Sequence, residues 1–153
     1  MDSGPYLNAA LLCERVLQER DGVLSVVRVV DRVTLTAVSA ETPAPEMIPP
    51  STLAFYILIV LKSGMYKGTA EIKLEINSPS GQRIGFSTVD AFFEGDDRGV
   101  NLVSPVQFQV SEDGLYWIDV TCLKELLTRI PLRVIYQRLS QGTLPWSPTS
   151  SNQ

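Results

Sequence analysis

From Thr69 to Ser78 the chain alternates strictly, with Ala70, Ile72, Leu74 and Ile76 on one parity and Glu71, Lys73, Glu75 and Asn77 on the other. A two-residue period turns one face to a core and the other to water, which is the signature of a half-buried strand. The same pattern returns at Val106 to Val110 and, richer in apolar groups, from Leu126 to Tyr136. Turn signals separate these runs: Asp21-Gly22, Ser63-Gly64, Ser78-Pro79-Ser80-Gly81 and Glu112-Asp113-Gly114. Several short strands with turns between them predict an all-β chain, a single antiparallel β-sandwich of immunoglobulin-like or Greek-key type.

Three stretches depart from simple alternation. Between Tyr6 and Arg20 the apolar residues Ala9, Leu12, Cys13, Val16 and Leu17 fall at helical spacing, yet Asp21-Gly22 and the β-branched run after it favour a hairpin. The hairpin is the reading adopted. Thr42 to Pro50 holds four prolines and cannot feed a ladder, so it is expected to cross between sheets or around an edge. Leu53 to Leu61 is apolar at both parities, which implies a central strand, or one whose outer face meets a partner. The hairpin after Ser78 to Gly81 is expected to turn Ile84 and Phe86 inward. At Cys122 to Leu126 no Asn-Gly or Asp-Gly marks a tight turn, which leaves a short helical turn open there. From Leu139 the residues are mostly Ser, Thr, Pro, Gln and Gly, so the sandwich is placed at 1–138 and a flexible tail at 139–153.

Leu11-Leu12-Cys13-Glu14, Asp21-Gly22-Val23-Leu24-Ser25 and Arg28-Val29-Val30-Asp31-Arg32 resemble a family of short, uncharacterised bacterial β-sandwich proteins. Gly114 to Val120 and Leu126 to Val134 are similar to that family's closing hairpin. The resemblance implies a bacterial source and a sandwich fold, and no activity. Leu123-Lys124 stands where the family more often has Asp-Gly.

Composition narrows the chemistry. With 13 basic against 17 acidic residues and no long basic run, nothing offers a footprint for phosphate backbones, and nucleic acid is not an expected partner. The chain has no histidine, which removes serine-triad, Cys-His and His-ligated zinc chemistry. No cofactor is expected, and an enzyme is not. The longest apolar run is about half of what a membrane helix needs. Met1-Asp2-Ser3-Gly4-Pro5 lacks the basic start of a signal peptide, so a cytoplasmic protein is expected, with Cys13 and Cys122 as reduced, buried thiols.

Candidate sites follow from the pattern. If Asp21-Gly22 is a two-residue turn, Arg15 falls opposite Arg28 and Leu11 opposite Arg32, gathering Arg15, Arg28 and Arg32 on one face as an anion or acidic-partner site. Glu14 and Asp31 share the opposite face, where paired carboxylates are the one arrangement an enzyme reading has. Phe55 and Tyr56 belong to the apolar run and mark a protein contact or a contact with a second copy of the chain. Trp146, within Leu144-Pro145-Trp146-Ser147-Pro148, resembles a docking segment with an aromatic anchor. Asp90, Glu94, Asp96 and Asp97 supply oxygen ligands of the kind calcium-binding sandwiches use. Of Tyr116 and Trp117 one must face outward, where aromatics stack sugars, and Trp117 is assigned to the core. The expected function is a non-catalytic module that binds a protein partner, with a carbohydrate- or calcium-binding module as the alternative.

Overall fold

The computed structural model describes residues 4–39 and 44–140. Nine strands form two sheets: β1 (Tyr6–Gln18), β2 (Leu24–Val29), β3 (Arg32–Ser39), β4 (Ser51–Lys62), β5 (Lys67–Asn77), β6 (Arg83–Glu94), β7 (Gly99–Val110), β8 (Gly114–Cys122) and β9 (Glu125–Ser140). The four-stranded sheet has the order β2-β1-β4-β7 and the five-stranded sheet β3-β9-β8-β5-β6. The sandwich is as expected, and no helix occurs among the described residues.

One pairing departs from the antiparallel expectation. β3 lies parallel to β9, from Arg32 beside Arg133 to Ser39 beside Ser140. Parallel neighbours need a long connection, and the five strands between them in sequence supply it. That pairing also carries Leu139 and Ser140 into β9, so the strand runs past the boundary set at 138, and the remaining residues, 141–153, lie outside the described ones.

β3 and β4 lie in different sheets, as the expected crossover requires, and of the proline-rich segment between them Ala44 to Pro50 is described. Ile48 enters the core, and the Tyr136 hydroxyl donates to the Pro45 carbonyl at 2.8 Å. β4 is central, between β1 and β7. Its odd residues Leu53, Ile57, Ile59 and Leu61 meet Ile72, Leu74, Ile118, Val120, Leu132 and Val134 from the other sheet in one continuous core. Tyr116 is fully buried there, and its hydroxyl donates to the Glu112 carbonyl at 2.7 Å, so no polar atom is left unpaired by its burial.

One turn left open is settled, and one strand departs from expectation. Cys122 pairs with Glu125, so Leu123 and Lys124 form a two-residue hairpin turn, with φ of 49° and 67°, in place of a helical turn. Both values are positive, as a primed hairpin turn demands, although neither residue is the Gly or Asn that adopts them cheaply. In β6, Gly85 pairs with Ile76 but Arg83 with Asn77, which makes Ile84 an extra residue in the strand. That bulge turns Phe86 outward to 54% exposure, against the expectation that it faces the core; Ile84 still packs on the core.

Candidate functional site

The β1–β2 hairpin decides where the arginines go. Gly22 donates to the Glu19 carbonyl at 2.9 Å and takes φ of 83°, while Glu19 donates to the Val23 carbonyl at 2.8 Å. The loop is therefore Arg20-Asp21-Gly22, three residues ending in a left-handed glycine, and not two. One residue of slip reverses every face. Arg15 pairs with Val27, and Arg28 instead meets Glu14, Nε to Oε1 at 2.8 Å. Arg32 begins β3 in the other sheet. The predicted face of three arginines does not form, because the three-residue loop sets Arg15 against Val27, turns Arg28 to Glu14 and leaves Arg32 to the other sheet.

A different arrangement brings several of the same residues together. β4 pairs with β7 from Ser51 to Lys62, but with β1 only from Tyr56 onward, where Tyr56 meets Cys13. Beyond Cys13 the β1–β2 hairpin leaves β4, and an open groove of about 510 Å³ occupies the fork. Glu14, Arg28, Asp31 and Arg32 line one wall, with Phe55 and Leu53 on the other. Arg32 Nε lies 3.6 Å from Asp31 Oδ1, so both guanidinium groups already have a carboxylate. Arg28 also has a φ of 56°, uncommon for a residue with a side chain, and it sits where β2 ends. The groove thus unites Arg28, Arg32, Phe55, Glu14 and Asp31, and leaves out Arg15.

The groove lies at the open edge between the two sheets, since Leu53 and Phe55 are core-facing on β4 and Val30 and Val33 pack on the core; beside it runs the outer face of the four-stranded sheet. In the register of β1 with β4, Cys13, Leu11 and Ala9 stand beside Tyr56, Leu58 and Val60 on that face. Val29 and Val27 from β2, and Val103 and Pro105 from β7, extend it on both sides. Tyr56 is 40% exposed, Val103 42% and Val29 65%. Cys13 and Leu58 are buried without belonging to the core between the sheets; their neighbours on the outer face cover them. The outer face of the five-stranded sheet is charged along its middle, with Lys67, Glu71, Lys73, Glu75, Asp119 and Arg129 on β5, β8 and β9, and carries Trp117 on β8 and Phe86 and Phe92 on its β6 edge.

Phe55 and Tyr56, singled out together, therefore separate: Phe55 packs inward beside the groove and Tyr56 stands on the outer face. Sequence reasoning missed Val29, Val103 and the β1 contribution. The signal was present at Ala9 to Cys13, apolar at both parities like Leu53 to Leu61, but the expected hairpin register was one residue off, with Arg15 opposite Arg28 where the structure has Val27. Trp146 lies outside the described residues.

The acidic loop does not gather ligands. Asp90 lies on β6 opposite Glu71, and Glu94 is held by Arg98 Nη1 at 2.8 Å. Asp96 and Asp97 occupy a tight turn with φ of 53° each, closed by Arg98 N donating to the Gly95 carbonyl. Among the described residues no three of His, Cys, Asp and Glu are placed to hold a metal ion. Trp117 corrects its assignment to the core: it faces outward, half-buried, with the Arg129 guanidinium 4.9 Å from its ring centre. Arg129 is fixed by Asp119 at 2.7 Å, so the cation covers the surface a sugar would stack on.

Shifted titrations have local structural causes. Burial pushes the Cys13 and Cys122 thiols up, and Cys13 Sγ donates to the Tyr56 carbonyl at 3.7 Å. Burial likewise raises Tyr116, and the Glu94 carboxylate raises Arg98. Glu112 is lowered because its Oε1 accepts from the Ser80 hydroxyl at 2.9 Å and from the Ser80 amide at 3.2 Å. None of these groups lines the groove. No protein-family model matches the chain, and no curated protein is significantly similar to it.

Proposed function

We propose that this protein is a non-catalytic interaction module that docks a protein partner on the outer face of its four-stranded sheet. The apolar character of that face carries the reading. Tyr56, Val29, Val27 and Val103 stand on three strands, β4, β2 and β7, around Cys13 and Leu58, with Arg15 beside Val27 as the charged neighbour, while β5 on the opposite outer face alternates charged residues. Contiguous exposed apolar surface of this kind is costly to leave in water and marks contact sites. Aromatic anchors at the centre of such a patch carry most of the binding energy, and Tyr56 holds that position. The fork groove adds specificity at the rim, where the Arg28–Glu14 pair offers a charged contact to a partner that reaches past Ala54.

A bacterial source belongs to the same proposal and rests on the resemblance of Leu11 to Glu14 and Arg28 to Arg32 to the sandwich family named above; a cytoplasmic setting is proposed with it, supported by the two free, buried thiols Cys13 and Cys122. No helix of the described residues is long and apolar enough to cross a membrane.

The experiment places a photo-crosslinking residue at Tyr56, or at Glu71 on the charged face as control, in the native host. A discrete adduct from the Tyr56 position, lost when Leu58→Asp is added, supports the reading. Equal labelling from both positions, or an adduct that survives Leu58→Asp, refutes it.

A further inference from the structure

A sandwich with two open sheets has four edge strands, and three of them carry protection. β2 has six residues and β3 eight, short enough to offer little template, and β7 carries Pro105, which lacks an amide donor. β6 is neither short nor interrupted by proline, and its bulge at Ile84 lies at its very start, leaving Gly85 to Glu94 in regular register. It runs for twelve residues from Arg83 to Glu94, contains no proline, and pairs with β5 only. Its outer side presents Phe86 and Phe92, 54% and 61% exposed. Such an edge, left bare, invites another strand.

The residues of β6 are complementary to themselves in one register. Opposed antiparallel to a second copy about a twofold axis at Val89, the outward positions pair Thr88 with Asp90 of the second copy and Phe86 with Phe92 of the second copy. Because Ile84 is the extra residue of the bulge, Arg83 then falls opposite Glu94 of the second copy. Every pair occurs twice. Aromatic faces aromatic and cation faces anion, and on the inward side Gly85, without a side chain, meets Phe93 of the second copy. Moving the axis to Thr88 or to Asp90 keeps the faces but sets Phe86 against Asp90 or against Glu94. Only the Val89 axis satisfies all three outward pairs.

The charged ends are free to serve it. Arg83 Nη1 is 3.9 Å from Glu75 Oε2, at the limit of an ion pair, and its guanidinium leans over Phe86 at 5.4 Å. Glu94 uses Oε2 on Arg98, leaving the other oxygen. We propose that the chain forms a twofold dimer by antiparallel addition of β6 to β6 of a second copy, joining the two five-stranded sheets into one continuous sheet. The contact is isologous and closes, so it ends at two copies and does not propagate. It lies on the other sheet from the apolar face assigned to the partner and does not depend on that assignment.

Sedimentation equilibrium of the full chain, from micromolar to submillimolar concentration, tests the dimer. Dimerisation is expected, weakened about tenfold or more by Phe86→Ala and by Phe92→Ala, each of which removes both aromatic pairs. Both residues are exposed, so circular dichroism melts serve to show that the variants stay folded. Register is read separately, by mixing Thr88→Cys with Asp90→Cys chains of different size under mild oxidation. The unlike pair is expected to cross-link faster than either chain with itself, and the native thiols at Cys13 and Cys122 are buried. A wild-type chain that stays monomeric at submillimolar concentration overturns the proposal. So does a dimer indifferent to both Phe substitutions, or one dispersed by Leu58→Asp instead, which would place the contact on the four-stranded sheet.

Discussion

Replacing Lys124 with glycine should stabilise this protein, although the same change in a strand should weaken it. Lys124 is exposed at the tip of the β8–β9 hairpin with φ of 67°, next to Leu123 at 49°. A residue with a Cβ in the left-handed region carries about 1–2 kcal/mol of steric cost. Glycine is free of that cost but gives up about 0.5–1 kcal/mol of extra chain entropy when it folds. The difference leaves a net gain of roughly 0.5–1 kcal/mol for Lys124→Gly. For a chain of this size that is a rise of about 1–4 °C in melting temperature. Lys73 supplies the control: it lies in the middle of β5, and its ammonium is 3.6 Å from Glu71 in an exposed pair. Lys73→Gly adds glycine's entropy cost with no strain to relieve, and is expected to lose roughly 1 kcal/mol. Urea unfolding of both variants, read as a shift in midpoint at constant slope, gives the comparison. Two midpoints moving the same way would refute the strained turn, since only the sign separates backbone strain from a general effect of glycine.

Other consequences are as direct. Glu112, depressed by its hydrogen bonds from Ser80, contributes stability that is complete above the ordinary carboxylate range and is lost as pH falls through its lowered value. Urea midpoints across the acid range should therefore fall less steeply for Glu112→Gln than for wild type. Cys13 and Cys122, buried and with raised pKa, should react with a thiol reagent slowly in the native protein and at once in urea; fast native labelling of Cys13 would mean the outer face opens. Millimolar calcium should leave the melting temperature unchanged, because among the described residues no three acidic side chains converge, Asp90 standing away on β6 opposite Glu71. Ser87→Val, at the mouth of a cavity of about 120 Å³ lined by Leu74, Ile76 and Ile118, should raise stability by about 1 kcal/mol in thermal melts.

Most of the architecture was legible because burial in a sandwich writes itself with a period of two. Ala70, Ile72, Leu74 and Ile76 fill the core from β5 as their alternation required, and the double-parity run at Leu53 to Leu61 did mark the central strand. The parallel β3–β9 pair was not legible. Pairing direction depends on which edge a strand joins after crossing, and the short alternation at Val33 and Leu35 fits either direction. The geometry of the β8–β9 turn was left open for a different reason. Leu123-Lys124 adopts a conformation its own residues disfavour, imposed by the strands that meet there.

The site was legible in its residue types and illegible in its faces, and single-residue irregularities account for this. A three-residue loop at Arg20 to Gly22 in place of two turns Arg28 from Arg15 toward Glu14, and converts an expected anion site into a paired, near-neutral groove. The extra residue at Ile84 sends Phe86 from the core to the surface. A bulge costs a strand part of its ladder, and it persists where the side chains it re-aims have somewhere better to go. For Arg28 that destination is visible in Glu14 at 2.8 Å. For Phe86 the chain itself offers only the Arg83 guanidinium, which leaves more than half the ring in water. The pattern of the sequence and the register of the strand disagree at Phe86 without a gain inside the monomer, and that conflict is what a contact with another strand resolves.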